Sequence, residues 1–283
     1  LVDYSQIATA CFFVVIEKGA TTVEIDILRY YILNSLRAVN VKFRKQYGDM
    51  VLCCDGKNSW RKDVFPYYKA KRQSDRAKSP IDWKTTYQSM EIIKEEIKST
   101  FQYPLIHLNK IEGDDVIATL FFNQVKDEHV IVSSDKDFIQ LHKYSDKLVQ
   151  WNNIASHFVT HNNPKRYLYD HILSGDSGDG VPNVLSDGDT FVTEGKRQVP
   201  IGKKKLDKWH NENFLTEILD TDDKKEAYRR NKKCIDLRYI PNKYIQEILK
   251  EFENESDKEK NSLNKYFMDK GLLQFMEKIR DFK

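Results

Sequence analysis

The chain has 283 residues, enough for one large domain or a core with a smaller lobe, and 40% hydrophobic with 31% charged residues allows a core beneath a heavily charged surface. A net charge of +3 alone does not point to nucleic acid, but the charge is segregated: Lys57 to Lys84 carries nine Lys/Arg against three Asp, and Lys110 to Asp137 seven Asp/Glu against three Lys. No apolar run reaches membrane-spanning length, no signal peptide is visible, and the four cysteines form no CxxC pair, which argues against a membrane span, a zinc site or a disulfide framework and for free thiols in a reducing, cytoplasmic setting.

The chain opens at Leu1 without Met, just ahead of Asp3, so most of a first β-strand is expected to precede it. Ile25, Leu28, Ile32, Leu36, Val39 and Phe43 recur at helical spacing, with Gly48 as a stop. Met50–Cys54 is a short continuous apolar run of the kind that forms a buried parallel strand. The basic segment Lys57–Lys78 follows, studded with Trp60, Phe65, Tyr67 and Tyr68. Ser79-Pro80 reads as an N-cap and first-turn proline opening a helix towards Lys98. Leu105–Leu108 predicts a strand, Val116–Val125 a helix, His129–Ser133 a strand and Lys147–Trp151 one more. Beyond Pro164 helical patterns dominate, broken by a Gly/Asp-rich stretch at Gly175–Gly180 and a polar loop at Asp187–Val199. Alternating strands and helices predict an α/β core over residues 1–163 with a mostly parallel sheet flanked by helices, then a mainly helical lobe over 164–283. For the C-terminal run Lys258–Lys283 two readings stand, a docking helix and a packing helix.

Single acidic residues are usually solvated charges, and Asp114 or Asp135 alone would serve as well as a helix cap. Their placement as a set is more informative. Ligands of open parallel sheets bind beyond the carboxyl ends of the strands. Asp3 follows the first strand, Asp55 the second, Glu112, Asp114 and Asp115 the third, and Asp135 and Asp137 the fourth. Such convergence would be strongly repulsive without cations. Hard oxygen donors suit Mg²⁺ or Mn²⁺, and two ions about 3.5–4 Å apart are the usual arrangement for phosphodiester cleavage.

Together with Gly175-Asp176-x-x-Asp179-x-Val181-Pro182, these motifs in this order resemble the structure-specific 5′ nucleases, a family of flap endonucleases and polymerase 5′-nuclease domains. The likeness runs from Leu1 to the C-terminus and is strongest up to Pro182; short phrases such as Tyr31–Ser35 and Gln140–Tyr144 are similar to its phage members. The resemblance implies a PIN-like core, a helical arch at about 57–79, a helix–hairpin–helix-like DNA-binding element in the C-terminal lobe, and two Mg²⁺ (or Mn²⁺) ions. It places Asp3, Asp55, Asp114 and Asp135 around a first ion, with Glu112 and Asp115 in support. Asp137, Asp176 and Asp179 are placed at a second. The family's Asp-Asn pair is Asp179-Gly180 here, which leaves the carboxylate and loosens the turn. Its Gly-x-Gly hairpin is missing, unless Pro200–Lys204 is a displaced equivalent.

Tyr68-Lys69-x-x-Arg72 resembles the family's arch motif, with Lys69 and Arg72 at the scissile phosphate and Arg61 and Lys62 at flanking phosphates. The bland alternative is a solvated basic face, but the interleaved aromatics favour nucleic acid. Mobility is expected between Asn58 and Ser79. Lys196-Arg197, Lys203-Lys204-Lys205 and Lys208 form a second basic cluster suited to duplex phosphates, while His107 and His142 read as structural. The implied activity is 5′-to-3′ exonuclease and flap endonuclease cleavage of DNA and of RNA in RNA·DNA hybrids, during primer removal by a monomer. The implied partners are flap, fork or hybrid substrates, a single-strand-binding protein and a sliding clamp, in the cytoplasm of a phage-infected host. Two other classes compete: an inactive binder of branched DNA with the same fold, and a small toxin-type ribonuclease, against which the chain's length and its Gly175–Pro182 motif argue.

Overall fold

The short apolar runs become short strands at the centre of the molecule, in a computed structural model that describes residues 1–211 and 219–283. They are β1 (Val2–Asp3), β2 (Leu52–Cys53), β3 (Leu105–Ile106), β4 (His129–Val132), β5 (Leu148–Asn152) and β6 (His157–Val159), ordered β3-β2-β1-β4-β5-β6. All neighbours are parallel except β5 and β6, which form an antiparallel edge hairpin. The chain lays β2 and β3 on one side of β1 and returns to place β4 on the other. The topological switch therefore falls beside β1, where ligands of open α/β sheets bind. β6 escaped prediction because it is short and exposed, with Phe158 47% accessible, and carries no alternating pattern.

The helices are α1 (Tyr4–Val15), α2 (Ile25–Tyr47), α3 (Arg61–Val64), α4 (Ala70–Lys78), α5 (Trp83–Thr100), α6 (Gly113–Asn123), α7 (Pro164–Ser174), α8 (Lys203–Asn211), α9 (Asp222–Ile235), α10 (Asn242–Ser256), α11 (Leu263–Asp269) and α12 (Leu273–Met276). α1 was not among the predicted elements. Its sequence is apolar on several sides and leaves Phe13 and Val14 in solvent, so no 3.6-residue stripe marks it. The predicted start at Ser79-Pro80 is corrected. Ser79 closes α4 through its N–H to the Arg76 carbonyl, and Asp82 caps α5 by accepting from Thr85 N at 3.0 Å. α6 begins three residues before the predicted Val116, because Glu112 and Asp115 form a capping box around its first turn. Residues Lys136–Lys143, unassigned from the sequence, form a 3₁₀ helix.

Residues 242–283 pack on the α/β core. α10 covers α6 and β3, while Phe267, Phe275 and Phe282 join one core cluster with α1, α2 and Phe101. Tyr30 stacks on Phe275 at 5.2 Å, and Arg37 donates to Asp281 at 2.7 Å. Burial of each such ring contributes about 2–3 kcal/mol. Of the two readings of the C-terminal run, the packing one describes these contacts.

Candidate active site

Four strand ends deliver their acids to one edge. Asp3 caps α1, accepting from Gln6 N at 3.0 Å and from Ser133 Oγ, at the end of β4, at 2.9 Å. Asp55 lies just beyond β2, and its Oδ1 accepts from Gly113 N at 2.8 Å. Gly56 makes that approach possible: a Cβ there would fall 1.7 Å from the Leu108 carbonyl oxygen, and its N–H donates to the Ile111 carbonyl at 2.7 Å. Asp114 sits in the first turn of α6, and Asp135 caps the 3₁₀ helix by accepting from Asp137 N at 2.9 Å. Buried Gln150 on β5 holds the loop after β4, donating to the Ser133 carbonyl at 3.0 Å and the Asp135 carbonyl at 2.6 Å. Neither Gly56 nor Gln150 was singled out in the sequence. A glycine directly after a strand-end aspartate was the available signal.

The electrostatics follow from this crowding. Burial, then the charge of Asp55, pushes the Asp3 carboxyl up to about 7. Burial, then Asp135, Asp3 and Asp55, pushes Asp114 well above the usual carboxylate range. The nearby basic groups are committed elsewhere: Lys69 to Glu112 and Asp179, Arg72 to Asp179, and Arg61 to Glu112 and Asp115. Asp3, Asp55, Asp114 and Asp135 thus form an all-oxygen set short of positive charge, which fits a hard divalent cation. A folded-state carboxyl raised to about 7 keeps its proton while the unfolded one releases it near pH 4, so metal-free stability falls as pH rises across that window. A bound cation removes the penalty. The melting temperature of EDTA-treated protein should therefore drop from pH 5 to pH 8, and the rise on adding Mg²⁺ should be larger at pH 8. Scanning fluorimetry checks this, and an equal Mg²⁺ effect at both pH values would contradict it.

A second group lies beside the first. α7 packs on the 3₁₀ helix and brings His171 Nδ1 to 3.4 Å from Asp137 Oδ1 and His171 Nε2 to 3.7 Å from Asp176 Oδ2. Burial, against a smaller opposing effect of His171, pushes Asp137 up to about 7. The turn expected to loosen at Asp179-Gly180 is closed. Asp176 N donates to the Val181 carbonyl at 2.8 Å and Val181 N to the Asp176 carbonyl at 2.7 Å, while Gly180 takes a φ of +73° that suits glycine. Asp179 adjoins this group, its N–H donating to Asp176 Oδ1 at 3.1 Å, but its carboxylate is bonded to the basic segment. Its Oδ2 accepts from Tyr68 Oη at 2.7 Å and its Oδ1 from Arg72 at 2.6 Å. His171 carries no ligand spacing along the chain that would mark it from sequence.

Segment 57–79 is rooted by buried side chains. Arg61, expected at flanking phosphates, is 2% exposed and donates to Asp115, Glu112 and the Cys234 carbonyl at 2.8–3.0 Å. Asp115, expected near a cation, is fully buried and accepts from Arg61, Trp60 Nε1 and Glu112 N. Its oxygens are already used, and that is the physical reason for both corrections. Tyr68, expected against nucleic acid, is likewise buried at 2% exposure, with its hydroxyl between Glu112 and Asp179. Glu112 takes Lys69, Arg61 and Tyr68; burial would raise its carboxyl, but the Lys69 and Arg61 charges hold it down at about 2. Lys62 is exposed, as are Lys203, Lys204 and Lys205 in the first turn of α8. α7 and α8 meet through Leu173 and Trp209, so Pro200–Lys204 lies at the entry to a helix, with the Gly202 carbonyl accepting from Lys205 and Leu206. Lys196 is tied to Asp187 and Asp189. His107 sits beside Glu91 and Glu95, where Lys94 Nζ occupies the cation's place, 3.2 Å from His107 and 2.8 Å from Glu91.

Oxygen donors crowded at a sheet switch point, under a basic segment, suit phosphodiester hydrolysis assisted by divalent cations. Sequence comparison leads to the same class. Residues 1–168 match the 5′-3′ exonuclease N-terminal resolvase-like domain, and residues 162–282 the C-terminal domain of T4 RNase H. The chain belongs to this 5′-3′ exonuclease family, whose members are phosphodiesterases. It is 30% identical to the ribonuclease H of Enterobacteria phage T4, over 100% of this chain and 95% of that protein. It is also 32% identical to the flap endonuclease Xni of Shewanella pealeana, over 48% of this chain and 53% of the relative. Among solved structures, the bacteriophage T5 flap endonuclease in complex with DNA and metal ions shares the fold, with a TM-score of 0.65 at 14% identity over 91% of this chain and 98% of that one. The T5 5′-exonuclease with bound zinc matches at a TM-score of 0.64, with 16% identity over 90% and 98%.

Proposed function

We propose that this nuclease cuts 5′ flaps and degrades DNA and the RNA of RNA·DNA hybrids from the 5′ end, with two Mg²⁺ or Mn²⁺ ions. The observation that carries the reading is the convergence of Asp3, Asp55, Asp114 and Asp135 on the switch point, Asp3 buried, Asp114 half-buried and Asp55 and Asp135 exposed, with the charges of Asp55 and Asp135 acting on both Asp3 and Asp114. These four would hold one cation, and Asp137 and Asp176 a second, with Asp179 next to it. Bound there, the cations supply Lewis-acid activation of water and stabilisation of the leaving oxygen.

The chain's own groups do the rest. Lys69 and Arg72, now paired with Glu112 and Asp179, stand where they can exchange those acids for the phosphate of an incoming strand. Lys62 and the exposed lysines of α8 engage flanking phosphates, which position the duplex without reading its sequence. The family likeness supports primer removal as the setting, in the cytoplasm of a phage-infected host. The chain would act there as a monomer beside a single-strand-binding protein and a sliding clamp.

The test uses a 5′-labelled flap and a 5′-labelled RNA·DNA hybrid, each with Mg²⁺ and with EDTA. Cleavage of both substrates in Mg²⁺ alone is expected. Tight flap binding with no cleavage in Mg²⁺ or Mn²⁺ would instead identify an inactive branched-DNA binder.

A further inference from the structure

We propose that His171 is a ligand of the second cation, lending an imidazole nitrogen to Asp137 and Asp176, so that this one position favours a first-row transition cation over Mg²⁺. The inference rests on the nuclease reading of the site and goes beyond it, because neither the strand-end logic nor the family motif contains a histidine here.

Three independent features of the chain lead to it. First, one ligand atom from each of Asp137, His171 and Asp176 lies within 4.8 Å of the others, the span of donors about one ion. Two donors on adjacent positions of an octahedral ion at roughly 2.1 Å sit about 3 Å apart, close to the 3.4 Å between His171 Nδ1 and Asp137 Oδ1. Second, that Nδ1 is buried and makes no hydrogen bond. A buried polar nitrogen that has an acid at 3.4 Å but no hydrogen bond is poorly satisfied, and a cation between the two would satisfy both. Nε2, 3.7 Å from Asp176 Oδ2, is left to carry the proton and to keep the ring oriented. Third, the ring is held in place. Leu168, Ile172 and Leu173 anchor α7 in the core, and Tyr167 packs edge-on against His171 at 5.7 Å.

The two halves of the site would then differ in kind. The first offers carboxylate oxygens only and suits Mg²⁺. The second mixes nitrogen with oxygen, and imidazole raises affinity for Mn²⁺ and its neighbours relative to Mg²⁺, which dehydrates reluctantly and prefers oxygen. The competing arrangement is a protonated imidazole standing between Asp137 and Asp176 as an internal counter-charge, in which case no nitrogen would reach the ion.

Mn²⁺ added to the full chain, read by electron spin-echo envelope modulation, separates the two. Expected are imidazole ¹⁴N modulations in the wild type that vanish in His171→Gln and persist in His107→Gln. In a Mn²⁺ titration followed by EPR, His171→Gln should weaken one class of site by about 10- to 100-fold, the scale on which shells around a metal matter, and leave the other class unchanged. The unchanged class also reports that the variant is folded. Mn²⁺ bound at two classes of site without ¹⁴N modulation would overturn the His171 assignment and leave the nuclease reading standing. Failure of the wild type to bind Mn²⁺ at all would overturn both.

Discussion

Asp135→Asn should reduce cleavage of a 5′ flap by at least about a thousandfold, a loss of roughly 4 kcal/mol in transition-state stabilisation, while DNA affinity stays within about threefold. The substitution is nearly isosteric. Asp135 caps the 3₁₀ helix through Oδ1, and an asparagine carbonyl oxygen can accept the same Asp137 N–H. Gln150 grips the backbone at 135 and is indifferent to the side chain. What disappears is one negative charge from a group whose members already act on one another, Asp135 being the largest charge on Asp114. Cation occupancy should suffer and the fold should not. Single-turnover cleavage in saturating Mg²⁺, beside a fluorescence-anisotropy binding curve, makes the comparison. Turnover within tenfold of wild type would remove Asp135 from the cation site.

Arg61→Met should destabilise the protein by about 3–5 kcal/mol, because it strands two carboxylates in the interior. Asp115 is wholly inaccessible and Glu112 nearly so, and the guanidinium bonds both. Urea unfolding at neutral pH gives the measurement. Adding Asp115→Asn to Arg61→Met should recover part of the loss, since an amide at 115 can still accept from Trp60 and from the Glu112 N–H. The experiment also discriminates between roles. An arginine that served flanking phosphates would lose DNA affinity on substitution and keep its stability, and that result would reverse the assignment made above.

The placement of the strand-end acids was legible because two simple rules combine. Short apolar runs such as Met50–Cys54 and His129–Ser133 become parallel strands, and the carboxyl ends of parallel strands share one edge. Asp3, Asp55, Asp114 and Asp135 needed nothing more. The partner choices of charged side chains were not legible. Arg61 and Lys62 are adjacent in a basic run, yet one is buried against acids more than fifty positions away and the other lies in solvent. Local pattern carries no sign of that difference, which is set by which side of a four-residue helix meets the first turn of α6 and the end of α9. His171 was hidden for a related reason. Its neighbours in space come from another helix and a turn, so no ligand spacing along the chain announces it. α1 was lost because apolar residues on several sides blur the helical period.

The Arg61 side chain fastens three stretches of chain with one group: the root of the basic segment, the start of α6 and, through the Cys234 carbonyl, the end of α9. Trp60, Phe65 and Tyr68 are packed beside it, whereas α4 buries no residue at all. The overhang is therefore fastened at both ends, by this clamp before it and, after it, by Arg76 over the rings of Trp83 and Tyr87 and by Asp82 N donating to the Thr21 carbonyl at 2.9 Å. Between these two attachments only the exposed α4, entered through Lys69 with its left-handed backbone, lacks buried side chains, so any displacement of the overhang would leave the clamp and the acids in register.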